Sequence, residues 1–312
     1  MASVMLCDAH TRREVCAVVV TYNPGTSTLE NVRALTTQVP AIVVDNTPSP
    51  SCAKTGVLAA IEQMDSVQLI RNQQNLGIAA ALNRGIREAI NSGYQWVATF
   101  DQDSTITPRF FDGLLNALQS YPARERVALV APLMYYPESK EMEVANADQL
   151  PESSLVRTAM TSGSLIRTEV FAKHGFYDEA WFMDYVDYEY CLRLQQAGYQ
   201  LLRANHVLLH HQLGTVKTFR LFGSELFIKT HDAWRHYYIA RNRLLMYRRY
   251  ALTFPGWCLY DFGSFFRELG KVIAFESAEL DITLNILKGI AHGLIGKTGP
   301  LVQPSVRNEV RH

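Results

Sequence analysis

Residues 15–22 read VCAVVVTY. An unbroken apolar, valine-rich run of this kind fits a strand covered on both faces, as in a parallel sheet, and not the alternation of a strand with one wet face. Asn23-Pro24-Gly25 breaks the run, and a helical pattern follows over about 27–38. The unit then recurs. AIVVD (41–45) is a second apolar strand, followed by a proline-containing turn and a helix around 53–64. VQLIR (67–71) is a third strand. Ile78, Leu82, Ile86 and Ile90 mark a helix across 76–92, and QWVATF (95–100) is a fourth strand that runs into Asp101. Strands alternating with helices predict right-handed βαβ units and an α/β fold with a mostly parallel sheet. Ligands of such sheets sit beyond the carboxyl ends of the strands. Those ends carry Tyr22-Asn23, Asp45-Asn46 and Asp101-Gln102-Asp103, so a polar site is expected there.

The second half differs. Residues 127–166 read as mixed strands and loops, and 186–197 as a helix with Val186, Tyr190, Leu194 and Ala197 on one face. Residues 199–210 read as a strand ending at His210-His211, and 212–225 as a mobile loop. From about 233 onward the pattern is helical. Leu280, Leu284, Leu287, Ala291 and Leu294 recur at 4,3,4,3 spacing, the stripe of an amphipathic helix. The predicted organisation is an N-terminal arm (1–14), an α/β domain (15–230), a helical and membrane-associating region (231–296) and a tail (297–312).

Composition narrows the function classes. The 312 residues include 30 Lys+Arg and 30 Asp+Glu, so no global basic field exists to hold nucleic acid. The five cysteines form no CxxC pair, which argues against a structural zinc site or a disulfide framework and suits a reducing cytoplasm. The first residues lack the apolar core of a signal peptide. No run of about 18 uncharged apolar residues occurs, and the nearest candidate, 251–266, carries Asp261 and a Pro-Gly break. The chain is expected to lie on a membrane and not to cross one.

In an extended chain, residues i and i+2 point to the same side, so Asp101 and Asp103 would face one another at a strand end. Like charges that close repel unless a cation separates them or one is protonated. Hard oxygen ligands there suit Mg2+ or Mn2+ together with substrate phosphates, although a solvated turn would carry the same letters. Asp184, Asp187 and Glu189 offer a general base or merely helix-capping acids. His210-His211 offers an imidazole to a metal or two packed rings. Lys217 and Arg220 can close on a diphosphate or simply face water. Five arginines and four tyrosines interleaved over 235–250 make a basic aromatic helix, for lipid headgroups or for the core.

VVVTYNP (18–24), VVDN (43–46), NLGIAAALNRGI (75–86), FDQDS (100–104), TSGSLI (161–166), FMDYVDYEYCLR (182–193), HHQLGTVKT (210–218) and HYYIARN (236–242) occur in this order. Together they resemble glycosyltransferase family 2 with a GT-A fold, and within it the bacterial L-rhamnosyltransferases. The resemblance implies that Thr21, Tyr22, Asn23 and Asn46 line the nucleotide pocket, that Asp45 bonds the pyrimidine, and that Gly77 admits the donor. It implies that Asp101 and Asp103 bind metal and diphosphate with His211 as third ligand, that Asp187 is the base, and that Asp184 and Trp181 lie on the acceptor side. Lys217 and Arg220 are implied at the diphosphate. The implied reaction is an inverting transfer from dTDP-L-rhamnose to a lipid-linked glycan or glycolipid, as in O-antigen or rhamnolipid synthesis, at the inner face of the cytoplasmic membrane. A family 2 enzyme using a UDP-hexose is the alternative. A sugar nucleotidyltransferase is disfavoured because TYNPGTST lacks the arginine and glycine density of its phosphate loop.

Overall fold

The computed structural model describes residues 9–48, 52–212, 216–221, 224–229, 232–271 and 280–301, with backbone alone for 9–10, 52–55, 216–221, 224–229 and 271. The described strands are β1 (Val15–Thr21), β2 (Ala41–Asp45), β3 (Val67–Arg71), β4 (Trp96–Asp101), β5 (Ser104–Ile106), β6 (Val127–Tyr136), β7 (Glu141–Met142), β8 (Ser153–Val156), β9 (Leu165–Arg167), β10 (Gln200–His211), β11 (Val216–Leu221) and β12 (Ser224–Lys229). The helices are α1 (Ala9–Glu14), α2 (Thr26–Thr36), α3 (Cys52–Glu62), α4 (Ile78–Asn91), α5 (Phe110–Ser120), α6 (Thr168–His174), α7 (Val186–Gln196), α8 (Ala233–Tyr250), α9 (Pro255–Lys271) and α10 (Leu280–Leu294).

One mixed sheet runs β3-β2-β1-β4-β9-β6-β10-β5, with β7 on β6 and β8 on β10. The first four strands are parallel, in keeping with the apolar runs of β1 and β2. All seven residues of β1 are buried. Cys16, Val18 and Val20 enter the core on one face of the sheet, and Val15, Ala17 and Val19 the core on the other. β9 runs antiparallel to both β4 and β6, which makes the sheet mixed.

Register positions the site. Thr21 stands opposite Asp45, and Val20 opposite Asp101, so the acid-tipped ends of β1, β2 and β4 lie side by side. On the other side of the fold, β10 pairs antiparallel with β5 and sets His211 opposite Ser104. That pairing carries a histidine more than a hundred residues along the chain to the edge of the acidic pair. The segment expected as a mobile loop, 212–225, is different: β11 and β12 pair antiparallel as a two-stranded ribbon, with Lys217 opposite Ile228 and Arg220 opposite Glu225. β-branched and aromatic residues, Val216, Thr218 and Phe219 in one segment and Phe227 and Ile228 in the other, give both strand character that the neighbouring glycines obscure. The side chains of Lys217 and Arg220 lie outside the described residues. Among the described residues no helix is long and apolar enough to cross a membrane.

Candidate active site

Asp101, Asp103 and His211 converge. Each offers one ligand atom, and the three atoms lie within 4.8 Å of one another. His211 Nδ1 is 3.9 Å from Asp103 Oδ1. Two hard carboxylate oxygens and an imidazole nitrogen suit a divalent cation of the Mg2+ or Mn2+ kind, with positions left for phosphate oxygens. The surroundings brace the three. Ser104 Oγ lies 3.0 Å from His211 Nδ1 and 2.7 Å from Ser162 Oγ, and Ser162 Oγ accepts the Asp101 N–H at 3.1 Å. A buried hydroxyl pair thus ties the strand carrying the acids to the strand carrying the imidazole. His210 points the other way by strand alternation and packs against the Tyr135 ring at 5.1 Å.

The nucleotide-side residues fall into two kinds. Asp45 is buried, and its Oδ1 accepts from the Thr21 hydroxyl at 3.0 Å and the Thr47 hydroxyl at 2.7 Å. Thr47 Oγ1 in turn accepts the Asn23 N–H at 2.7 Å. Thr21 is fully buried, so its hydroxyl orients Asp45. Asn46 is likewise committed. Its Oδ1 accepts from Asn72 at 3.0 Å and from the Leu76 N–H at 3.1 Å, and its amide donates to Asn75 Oδ1 at 3.0 Å. Asn46 therefore shapes the 72–77 loop. Tyr22 is the open group of this wall, 46% exposed, with its N–H donated to Gln102 Oε1 at 2.9 Å.

Gly77 has φ +84°, and a Cβ there would lie 2.4 Å from the Phe182 carbonyl oxygen. The Ile78 N–H donates to that same oxygen at 2.8 Å. The nucleotide-side loop and segment 178–187 therefore touch through main chain at this point.

Segment 178–187 forms the facing wall. Phe182, Asp184 and Tyr185 have φ of 63°, 55° and 64°, left-handed conformations that non-glycine residues adopt at a cost of about 1 kcal/mol or more each. α8 holds the segment. The Asn242 amide shares its N–H bonds among the carbonyls of Trp181 (3.2 Å), Met183 (2.6 Å) and Asp184 (2.9 Å). Arg241, fully buried, donates to the Trp181 carbonyl at 3.0 Å and to the Gly299 carbonyl. Trp181 itself is buried in the core, so its share in the site passes through its main chain.

Arg235 grips Asp184 with its fork at 2.9 and 3.2 Å. Asp187, in the first turn of α7, accepts the Tyr188 N–H at 2.9 Å. Burial pushes its carboxyl up to about 7, and the nearby Asp184 and Asp101 charges push the same way against the Tyr188 hydrogen bond. Two neighbouring carboxylates thus have separate surroundings: Asp184 lies in the grip of a guanidinium, and Asp187 is buried and readied to hold a proton near neutrality.

Of the residues read from sequence, the structure brings Asp101, Asp103 and His211 together and links Thr21, Asn23, Asp45 and Asn46 through hydrogen bonds, while Trp181 packs into the core and the side chains of Lys217 and Arg220 lie outside the described residues. Ser104, Ser162, Gln102, Thr47, Asn72, Asn75 and Asn242 carry contacts to which the sequence assigns no role, and Arg235 and Arg241, read there as part of a helix for lipid headgroups or the core, bond segment 181–184. For Ser104 and Ser162 the segments FDQDS and TSGSLI contained the letters but not the pairing. For Arg235, Arg241 and Asn242 a basic aromatic helix gave no sign that one side of it faces the site.

A metal-suited acidic cluster at the carboxyl ends of a mostly parallel sheet flanked by helices fits the GT-A arrangement of glycosyltransferases. Residues 16–174 match the family described as Glycosyl transferase family 2, and the chain belongs to that family. It is 32% identical over 254 residues to dTDP-rhamnosyl transferase RfbF of Shigella flexneri, covering 75% of this chain and 80% of that one. It is 27% identical over 238 residues to N-acetylglucosaminyl-diphospho-decaprenol L-rhamnosyltransferase of Mycobacterium tuberculosis, covering 62% of this chain and 75% of that one. In structure it is similar to GalNAc-T7 crystallised with UDP, GalNAc and Mn2+, with a TM-score of 0.52, 17% identity, and coverage of 67% of this chain and 44% of that one, a likeness of fold.

Proposed function

We propose that the protein transfers L-rhamnose from dTDP-L-rhamnose to a hydroxyl of a lipid-linked glycan, with inversion at the anomeric carbon. The observation that carries this reading is the 32% identity to a dTDP-rhamnosyl transferase over three quarters of the chain, together with the Asp101, Asp103 and His211 cluster opposite Asp187. The lipid-linked acceptor is supported by the mycobacterial relative, whose name gives a diphospho-decaprenol glycan.

In this reading Asp101, Asp103 and His211 hold a divalent cation, Mn2+ or Mg2+, which when bound neutralises charge on the donor diphosphate. Tyr22, Asn23 and Asp45 receive the nucleotide, with Thr21, Thr47 and Asn46 fixing their geometry. Asp187 accepts the proton of the attacking acceptor hydroxyl. The acceptor oxygen bonds to the anomeric carbon as the bond to the diphosphate oxygen breaks, and dTDP leaves with that electron pair. Asp184, gripped by Arg235, orients the acceptor. The transferase unit, residues 15–230, takes α8 as a wall of its site. The enzyme works at the cytoplasmic face of the membrane in peripheral contact with it.

The test is a thermal-shift and transfer panel with dTDP-rhamnose, dTDP and UDP-glucose, each with and without Mn2+. A metal-dependent shift selective for dTDP species is expected, about 2.7 kcal/mol at a hundredfold excess over Kd. A shift with UDP-glucose alone would replace the donor, and one indifferent to metal would remove the cation from the reading.

A further inference from the structure

α9 and α10 are inverted relative to core helices. Leu280, Leu284, Leu287 and Leu294 of α10 stand outward, each more than half exposed. The helix packs on α8 through Gly289, where a Cβ would lie 2.4 Å from the Tyr237 carbonyl oxygen. α9 likewise turns Leu259, Tyr260, Phe262 and Phe266 outward, each about half exposed or more. Its inward side carries the partly buried Trp257 and the buried Asp261, four residues apart and so on one face of the helix. Those two side chains reach the start of α7.

The Asp261 carboxyl accepts three hydrogen bonds: from the Tyr185 hydroxyl at 3.0 Å, the Tyr247 hydroxyl at 2.7 Å and Arg243 Nε at 3.0 Å. Burial raises the Tyr185 hydroxyl well above its ordinary range, so it keeps its proton and donates. The Trp257 ring meets the Tyr188 ring edge-on at 5.7 Å, and Tyr188 meets the Tyr185 ring at 5.4 Å. Tyr185 and Tyr188 bracket Asp187. The Glu189 N–H donates to the Tyr185 carbonyl at 2.9 Å, and the Tyr188 N–H donates to Asp187 Oδ1 at 2.9 Å. The turn that carries Asp187 is thus closed by its own main chain and gripped on both sides of Asp187 by α9.

α8 supplies the complementary hold. Asn242 bonds the carbonyls of Trp181, Met183 and Asp184, and the next residue, Arg243, engages Asp261 and, at 2.8 Å, Glu268. An anchor for α9 alone needs only Arg243 and Tyr247, since both belong to α8. The third donor, Tyr185, comes from the wall of the site. It has φ 64° and immediately precedes α7, where a shift of the ring turns the helix start with it.

We propose that Asp261 is a positioning residue for the transfer step: through the Tyr185 hydroxyl it fixes the first turn of α7 and the direction of the Asp187 carboxyl. This deepens the proposed function and rests on its assignment of Asp187 as the base. α9 is then a working part of the enzyme, although it lies outside the α/β sheet.

The experiment compares full-length Tyr185→Phe, Asp261→Asn, their double variant and Tyr247→Phe. Transfer is measured from dTDP-rhamnose with Mn2+ to N-acetylglucosaminyl-diphospho-decaprenol, beside the donor thermal shift and amide hydrogen exchange. Tyr185→Phe keeps the ring and loses one hydrogen bond. It should lower kcat about tenfold with the donor shift unchanged. The double variant should be no slower than Asp261→Asn alone, because both act through one bond. Tyr247→Phe removes another bond from the same carboxyl and should change kcat by about twofold at most. Amides of residues 183–189 should exchange about tenfold faster in Tyr185→Phe. Equal kcat losses in Tyr185→Phe and Tyr247→Phe, or single effects that multiply in the double variant, would reduce Asp261 to an anchor of α9 and overturn the proposal. Unchanged exchange at 183–189 overturns it as well. Should Asp261→Asn fail to fold, the two phenylalanine variants carry the comparison by themselves. A wild type that transfers nothing from dTDP-rhamnose would sink the proposed function, and hydrogen exchange would then decide the coupling of Asp261 to α7 alone.

Discussion

The two walls of the site are built in opposite ways. The wall proposed to receive the nucleotide comes from strand ends: Thr21, Asp45 and Asp101 stand at the neighbouring ends of parallel strands, and the sheet places them with ordinary backbone. The wall proposed to face the acceptor comes from a short irregular segment with positive-φ residues at Phe182, Asp184 and Tyr185, held from outside by Asn242 and Arg241. The first wall is a by-product of the fold. The second is a strained piece that persists because α8 over-determines it. The acceptor wall should therefore be the more fragile in rate, and the nucleotide wall the more fragile in binding.

The largest effect expected is at Asp187. Asp187→Asn should lower transfer about a thousandfold while donor affinity changes little, read by a transfer assay beside a donor thermal shift. The stability effect carries a sign. The folded carboxyl is raised from 3.8 to about 7, chiefly by burial, so the native state keeps a proton that the unfolded chain has lost. Native stability from this group therefore falls as pH rises between those values, and the loss is complete above about 7. In EDTA, Asp187→Asn should melt like wild type near pH 4 and higher than wild type at pH 8. A variant that turns over, or that melts lower at pH 8, would break the assignment.

Asp103→Ala should lower Mn2+-dependent donor affinity roughly a hundredfold, since it removes a direct ligand to the charge that holds the diphosphate. Unchanged affinity with metal would move the cation elsewhere. Asn242→Ala sharpens the comparison most directly. It should reduce kcat about tenfold to a hundredfold with donor Kd unaltered, because it frees the acceptor wall and touches no nucleotide contact. Parallel loss of donor binding would make the two walls one unit.

Gly77→Ala probes their seam. The new methyl would meet the Phe182 carbonyl at a backbone φ of +84°, so a loss of about 2 kcal/mol is expected in denaturant unfolding. The smallest effect is Ser104→Ala, which removes one brace of His211 and should weaken Mn2+ binding about tenfold with the fold intact.

The two walls also differ in how far the sequence reveals them. β1, β2 and β4 are readable because burial on both faces writes a nearly continuous apolar run, with acids at the ends of β2 and β4, whereas the edge strand β3 is only partly covered and carries Gln68 and Arg71. The choice of His211 over His210 came with the resemblance, and the structure gives its reason in strand alternation along β10 and pairing with β5. The β11–β12 ribbon was missed because glycines and charges at its ends resemble loop chemistry. Asn46 and Thr21 were named as site residues, but their burial inside hydrogen-bond networks, which gives them positioning parts, depends on neighbours far along the chain. The α10 leucine stripe was legible, but not its direction. A helix pattern states that one face is apolar, and it does not state which neighbour will accept the other.

The sequence by itself determined the parallel half of the sheet, the acids at its strand ends and the family, because each is written in local runs and short spacings. The tertiary structure alone decided how His211 reaches Asp103, why segment 181–185 tolerates left-handed residues, and that α9 and α10 turn their apolar faces outward. Each of these rests on contacts between elements far apart in the chain, where packing selects one of several arrangements that local patterning leaves equal.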